Sequence, residues 1–124
     1  MINLIIDATK EEVFLKIITD KESYTKEYLN SSENFDKISL IIFNFLKSNK
    51  LKISEITNIF VNIGPGNFSG IRASLSACKA LSISQEINLC GFSSNQINNR
   101  NYDKLLDLFR KEVLIKDLIK PIYK

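Results

Sequence analysis

The chain has 124 residues, 44% hydrophobic and 25% charged, enough to bury roughly two thirds of its unfolded surface in one domain, which excludes a wholly disordered chain. Its formal charge of +3 comes from lysines scattered among acids, with no block of about five or six like charges, so a basic nucleic-acid tail is excluded and only a mild lean toward acidic partners remains. The N-terminus shows no basic region followed by a long apolar run, and no apolar run approaches the roughly 20 residues that cross a bilayer, so a soluble cytoplasmic protein is expected, with no membrane partner.

Residues 2–6, mostly branched and apolar, predict a strand ending at Asp7, and residues 13–19 predict its hairpin partner across a polar turn. Residues 23–29, with Tyr24 and Tyr28 among polar neighbours, predict a third, edge-like strand. A helix should start between 30 and 34, where Asn30 and Glu33 have capping-box spacing, and end near 48–50. Its core stripe is Phe35, Ile38, Ile42, Phe45 and Leu46, which leaves Leu40 and Phe43 outside. One helical turn is expected at 53–56, then a buried strand at 59–63, a helix at about 69–84 and another buried strand at 87–92. Strand, turn, helix and strand in this order predict a parallel βαβ unit, making a mixed five-stranded sheet.

On the helix at 69–84, Ile71, Leu75 and Cys78 share a sheet-facing stripe, while Ala73, Ala77, Ala80 and Ser84 form a narrow strip on the other side with Arg72, Ser76 and Lys79 at its margin. Cys78 and Cys90 lie in apolar contexts without a CxxC pair, so both are expected to be reduced and buried. After a polar stretch at 93–101, apolar positions 102, 105, 106, 109 and 113 predict a closing helix. That helix is one candidate to cover Leu40 and Phe43 within the chain; a partner protein is the other.

Three of the four glycines crowd into Gly64-Pro65-Gly66-Asn67-Phe68-Ser69-Gly70, between a parallel strand and a helix, where backbone amides commonly hold phosphate. The Walker pattern needs a Lys-Ser/Thr pair after the last glycine, but Ile71-Arg72 follow; the dinucleotide pattern needs a shorter glycine spacing. A structural turn is the other reading: Gly66 and Gly70 allow positive φ or close backbone packing, Phe68 drops its ring into the core, and Ser69 caps the helix. A nuclease would need several carboxylates at strand ends, and Asp7 alone occupies one, where it is expected to bond turn amides.

Ile6-Asp7-Ala8-Thr9, then Gly64 to Arg72 leading into Ala77-Cys78-Lys79-Ala80-Leu81, and Gly91-Phe92-Ser93-Ser94, resemble the TsaB (YeaZ) family; so does the ending Pro121-Ile122-Tyr123. The resemblance implies an α/β fold, a ribonuclease-H-like single lobe of the actin and sugar-kinase (ASKHA) superfamily over residues 1–95, with a C-terminal helix and tail at 96–124 packed on it and the family's second lobe missing. It implies a non-catalytic scaffold subunit without a cofactor or metal, which supports a TsaD-like protein in N6-threonylcarbamoyladenosine modification of tRNA beside the anticodon. A TsaE-like ATPase is a further implied partner, a second copy of the chain can stand in for TsaD, and tRNA is met only through the complex. Leu40, Phe43 and the strip on the second helix resemble the partner surface of that family. The alternative function is an anion- or nucleotide-binding module using the glycine turn and Arg72.

Overall fold

The computed structural model describes residues 1–29, 37–97, 101–117 and 119–122. Strands β1 (Asn3–Asp7), β2 (Glu12–Ile18) and β3 (Ser23–Leu29) form an antiparallel meander, because two short polar turns reverse a chain whose side chains alternate across the sheet. β4 (Asn58–Asn62) and β5 (Asn88–Phe92) then add in parallel on the other side of β1, giving the order β3-β2-β1-β4-β5. Between them run α1 (Ile38–Ser48), before β4, and α2 (Phe68–Gln85), between β4 and β5; α3 (Lys104–Arg110) follows β5. The start expected for the first helix, with Asn30, Glu33 and Phe35, lies outside the described residues.

The alternation sorts the sheet into two apolar faces. Leu4, Ile6, Val13, Leu15, Ile17, Ile59 and Val61 meet α1 and α2 on one face, through Ile38, Ile42, Phe45 and Leu46 and through Leu75, Cys78 and Leu81. On the opposite face, Ile5, Phe14, Ile18, Phe60, Cys90 and Phe92 are covered by Tyr102, Leu105 and Leu114. The closing helix therefore does not cover α1 from outside: it packs across the sheet from it, and Leu40 and Phe43 stay exposed. Tyr102 stacks on Phe14 at 4.8 Å between centroids, and Lys16 of β2 reaches Asp103 at 3.6 Å, which fix this segment to the meander.

The closing helix is also shorter than its apolar pattern suggests, and Val113 is exposed. It ends because Glu112 adopts φ +58°, so that its amide donates to Phe109 and the Val113 amide to Leu108, a Schellman closure. α1 ends in the same way at Lys50, whose φ is +58°, with Leu51 donating to Leu46; α2 ends at Glu86, φ +54°, with Ile87 donating to Ser82. Three left-handed positions that favour glycine are thus held by lysine or glutamate. Replacing Lys50 or Glu86 by glycine is expected to stabilise the fold by roughly 0.5–1 kcal/mol each, seen as a higher urea midpoint; an unchanged or lower midpoint would show that the side chains contribute more than the backbone strain costs.

Cys78 and Cys90 are both free and buried. Burial pushes the Cys78 thiol far above its ordinary range, and burial also raises Cys90, against an opposing effect of the Lys116 charge. The unfolded thiol ionises near about 8.5, so the stabilisation linked to Cys78 is complete below that pH and is lost as pH rises past it. Between pH 7.5 and 9.5 the native protein should lose about 1 kcal/mol more stability than a Cys78→Val variant, and native Cys78 should resist thiol reagents until the chain unfolds.

Candidate functional site

The carboxyl ends of β1 and β4 meet at Asp7 and Asn62, and the chain returning from β5 brings Ser94 beside them. Asp7 is only 3% exposed, yet both its oxygens are occupied. Oδ1 accepts from the Thr9 amide at 3.0 Å and the Thr9 hydroxyl at 2.5 Å; Oδ2 accepts from Asn62 Nδ2 at 3.1 Å and the Tyr102 hydroxyl at 2.7 Å. The expected bond to a turn amide is present. The Tyr102 contact, across 95 positions of chain, has no sequence signal other than a polar tip on an apolar stripe. Among the described residues no group of three or more His, Cys, Asp or Glu side chains gathers around a common point.

The glycine turn hangs on this cluster. Asn62 Oδ1 accepts from the Gly64 amide at 2.9 Å, the Gly64 carbonyl accepts from the Ser94 amide at 2.9 Å, and Ser94 Oγ lies 3.2 Å from both Asn62 Nδ2 and the Pro65 carbonyl. Gly64 takes φ +107°, a backbone region that side chains strain, whereas Gly66 has negative φ and is needed for space. A Cβ at Gly66 would sit 2.5 Å from the Thr9 carbonyl oxygen, because the Asn67 amide donates to that same carbonyl at 2.7 Å. The Gly64–Pro65 bond is cis.

Two expectations about the turn are corrected. The cap of α2 is Asn67, whose Oδ1 accepts from the Gly70 amide at 2.9 Å, and not Ser69, because the helix begins at Phe68, ahead of the Gly70 start that a serine cap requires. Phe68 does not enter the core: it is the first residue of α2, 54% exposed, with the Arg72 guanidinium 5.2 Å above its ring. The turn thus uses the Gly64 and Gly70 amides internally and turns Arg72 toward Phe68, which leaves an anion fewer donors than the sequence suggests. A groove of about 660 Å³ beside it is lined by Thr9, Lys10, Glu11, Glu12 and Asn67.

The helices present a second candidate surface. Leu40 and Phe43 of α1 are 54% and 42% exposed. On α2, Ile71, Leu75 and Cys78 are buried as expected, but the small-residue strip divides: Ala73 and Ala77 are half-buried against the core that α1 shares, whereas Ala80 and Ser84 are exposed. The alanines at 73 and 77 let α1 approach α2 within the chain. Arg72, Ser76 and Lys79 are exposed on the outer side, joined by Ile83, an exposed apolar residue that small-residue patterning does not single out.

A family model described as "TsaD: tRNA N6-adenosine threonylcarbamoyltransferase" matches residues 29–101, more than half of the chain. The chain belongs to this family. It is TsaB/YeaZ-like: the tRNA threonylcarbamoyladenosine biosynthesis protein TsaB of Buchnera aphidicola subsp. Schizaphis graminum is 28% identical over 94 residues, 76% of this chain and 45% of that protein. YeaZ from Pseudomonas aeruginosa superposes with a TM-score of 0.70 at 14% identity, over 90% of this chain and 50% of that one. RuvC of Thermus thermophilus, solved in complex with a Holliday junction substrate, superposes with a TM-score of 0.55 at 11% identity, over 77% of this chain and 66% of that one. These structural likenesses show a ribonuclease-H-like α/β fold of the ASKHA type. The chain spans about half the length of the TsaB and YeaZ relatives it matches, and among the described residues no helix is long and apolar enough to cross a membrane.

The buried cluster gives a test of what holds the family's turn in place. Asp7→Ala leaves the Thr9 amide, Asn62 and Tyr102 without their acceptor and should cost about 2–4 kcal/mol, against about 1–2 kcal/mol for Tyr102→Phe. In urea titrations the double variant should be less destabilised than the sum of the two, since the second change removes a group the first has already orphaned.

Proposed function

We propose that the chain is a non-catalytic subunit that binds a TsaD-like protein and supports N6-threonylcarbamoyladenosine modification of tRNA next to the anticodon, in the cytoplasm. The observation that supports it most is α1, which buries Ile38, Ile41, Ile42, Phe45 and Leu46 against the sheet while holding Leu40 and Phe43 out toward solvent. A helix apolar on two sides needs cover on two sides, and among the described residues the chain supplies it on one. The match to the family model and the TsaB relative support the reaction in which the partner works.

On this reading Leu40 and Phe43 are the anchors, and the outer side of α2, with Arg72, Ser76, Lys79, Ala80 and Ser84, forms the seat and its margin. Ala73 and Ala77 contribute by setting how closely α1 and α2 lie together. The Asp7 cluster is then a brace for the glycine turn at the start of α2 and takes no part in chemistry. In the absence of TsaD, a second copy of the chain would use the same apolar residues. A TsaE-like ATPase would join the heterodimer, and tRNA would be reached through TsaD.

The test is co-expression with the TsaD protein of the same source, followed by a threonylcarbamoylation assay. A stoichiometric complex and dependent activity are expected for the native chain. Leu40→Asp and Phe43→Asp should abolish the complex while changing stability by no more than about 0.5 kcal/mol, as befits exposed positions. Complex formation that survives both variants would place the contact elsewhere. Saturable ATP binding by the isolated chain, lost in Arg72→Ala, would favour the nucleotide-binding alternative.

A further inference from the structure

β5 is an edge strand, and its outer side is only partly paired. Ile115 forms an isolated antiparallel bridge with Gly91, exchanging bonds of 2.8 and 3.2 Å, and among the described residues the pairing goes no further, Ile119 instead laying its side chain against Gly91. The backbone of a strand points its polar groups alternately to either side, and Asn88 and Phe92 use theirs toward the β4 side, bonding Thr57 and Ile63. Leu89, two residues before Gly91, therefore turns both its N–H and its C=O out of the same edge as Gly91, without a partner strand there among the described residues.

A groove of about 490 Å³ opens along this stretch, lined among others by Leu89, Cys90, Phe109, Ile119, Lys79 and Lys116. The two lysines approach it from different elements: Lys79 from α2, and Lys116 from the segment on the opposite face of the sheet, its Nζ 5.2 Å from the Phe109 ring. Among the described residues neither makes an ion pair and no acidic side chain lines the groove. An open pairing position between two uncompensated cations, floored by apolar side chains, has the features of a strand-addition site.

We propose that the edge of β5 docks a short extended acidic segment of a partner protein, added as an antiparallel strand that exchanges both backbone bonds with Leu89 and sets carboxylates against Lys79 and Lys116. The Gly91–Ile115 bridge shows the geometry on the next outward-facing residue, and the segment would lie in line with Ile115. A small anion would satisfy the lysines but leave the Leu89 carbonyl, an acceptor, without a donor. The site is separate from the Leu40 and Phe43 surface, although Lys79 borders both; Lys116 belongs to the groove alone.

The probe is a fluorescein-labelled octapeptide, Val-Glu-Glu-Val repeated twice, titrated by fluorescence anisotropy at low salt. Saturable binding is expected, weakened at least 5-fold by Lys116→Glu and at least 10-fold by Lys79→Glu with Lys116→Glu, and absent for the peptide with lysine in place of glutamate. N-methylation of alternate peptide nitrogens should weaken it at least 10-fold, since it removes the donors needed by Leu89. Both lysines are exposed, so circular dichroism of the variants should be unchanged. Lys116→Glu should leave TsaD association intact, which separates this site from the proposed TsaD contact. No saturable binding, equal binding of the N-methylated peptide, or displacement by citrate as effective as by unlabelled peptide would overturn the proposal.

Discussion

The carboxyl group of Asp7 is the constraint on which the rest of the molecule depends. It is buried at the end of a central strand, where an unpaired polar group would cost several kcal/mol, and it is tolerable because four donors converge on it. Those donors come from three places: the turn after β1, the end of β4 and the start of the closing segment. One side chain therefore sets the relative positions of two parallel strands and pins Tyr102 to the far face of the sheet. Through Asn62 it also sets the glycine turn, since the amide that donates to Asp7 is the one whose oxygen holds Gly64. The entry of α2, and the face that α2 turns outward, follow from that turn.

The two faces of the sheet are then put to different uses. The face covered by α1 and α2 builds the core and leaves apolar side chains on the outer side of α1. The other face is closed by a short helix and an irregular segment, held by the Phe14–Tyr102 stack and the Lys16–Asp103 pair. The sheet has two edges. β3 is polar and exposed at most positions, with Tyr24 and Tyr28 turned inward, a composition that discourages further pairing. β5 carries a partial bridge and two lysines beside it, a different arrangement that favours a chosen neighbour of opposite charge.

Glycine is placed by the same logic. Helix ends in this chain use lysine or glutamate in the left-handed region, at a cost of about 1 kcal/mol that a small domain can absorb at an exposed site. At Gly64 and Gly66 no such tolerance exists, because a side chain would meet the Ile122 carbonyl and Ile71 in one case and the Thr9 backbone in the other. Gly64 and Gly66 are thus explained by backbone crowding against the β1 turn and the C-terminal segment, without an anion.

The elements and their order are legible in the sequence, because the apolar runs at β1, β2, β4 and β5, the alternation of β3 and the stripe of α1 are local consequences of burial. The family was legible too, since the turn from Gly64 to Arg72 is local in the chain. What the sequence left open needed distance. The roles of Phe68 and Ser69 differ from the sequence reading because the start of α2 lies closer to the turn than a serine cap implies, and Asn67 is recognisable as the cap only from the Gly70 amide that bonds it. The bond from Tyr102 to Asp7, the side of the sheet on which the closing helix packs, and the pairing left open at Leu89 depend on contacts across tens of residues. These emerge from the folded chain alone, because hydrophobic patterning says that a face is covered and is silent on which distant segment covers it.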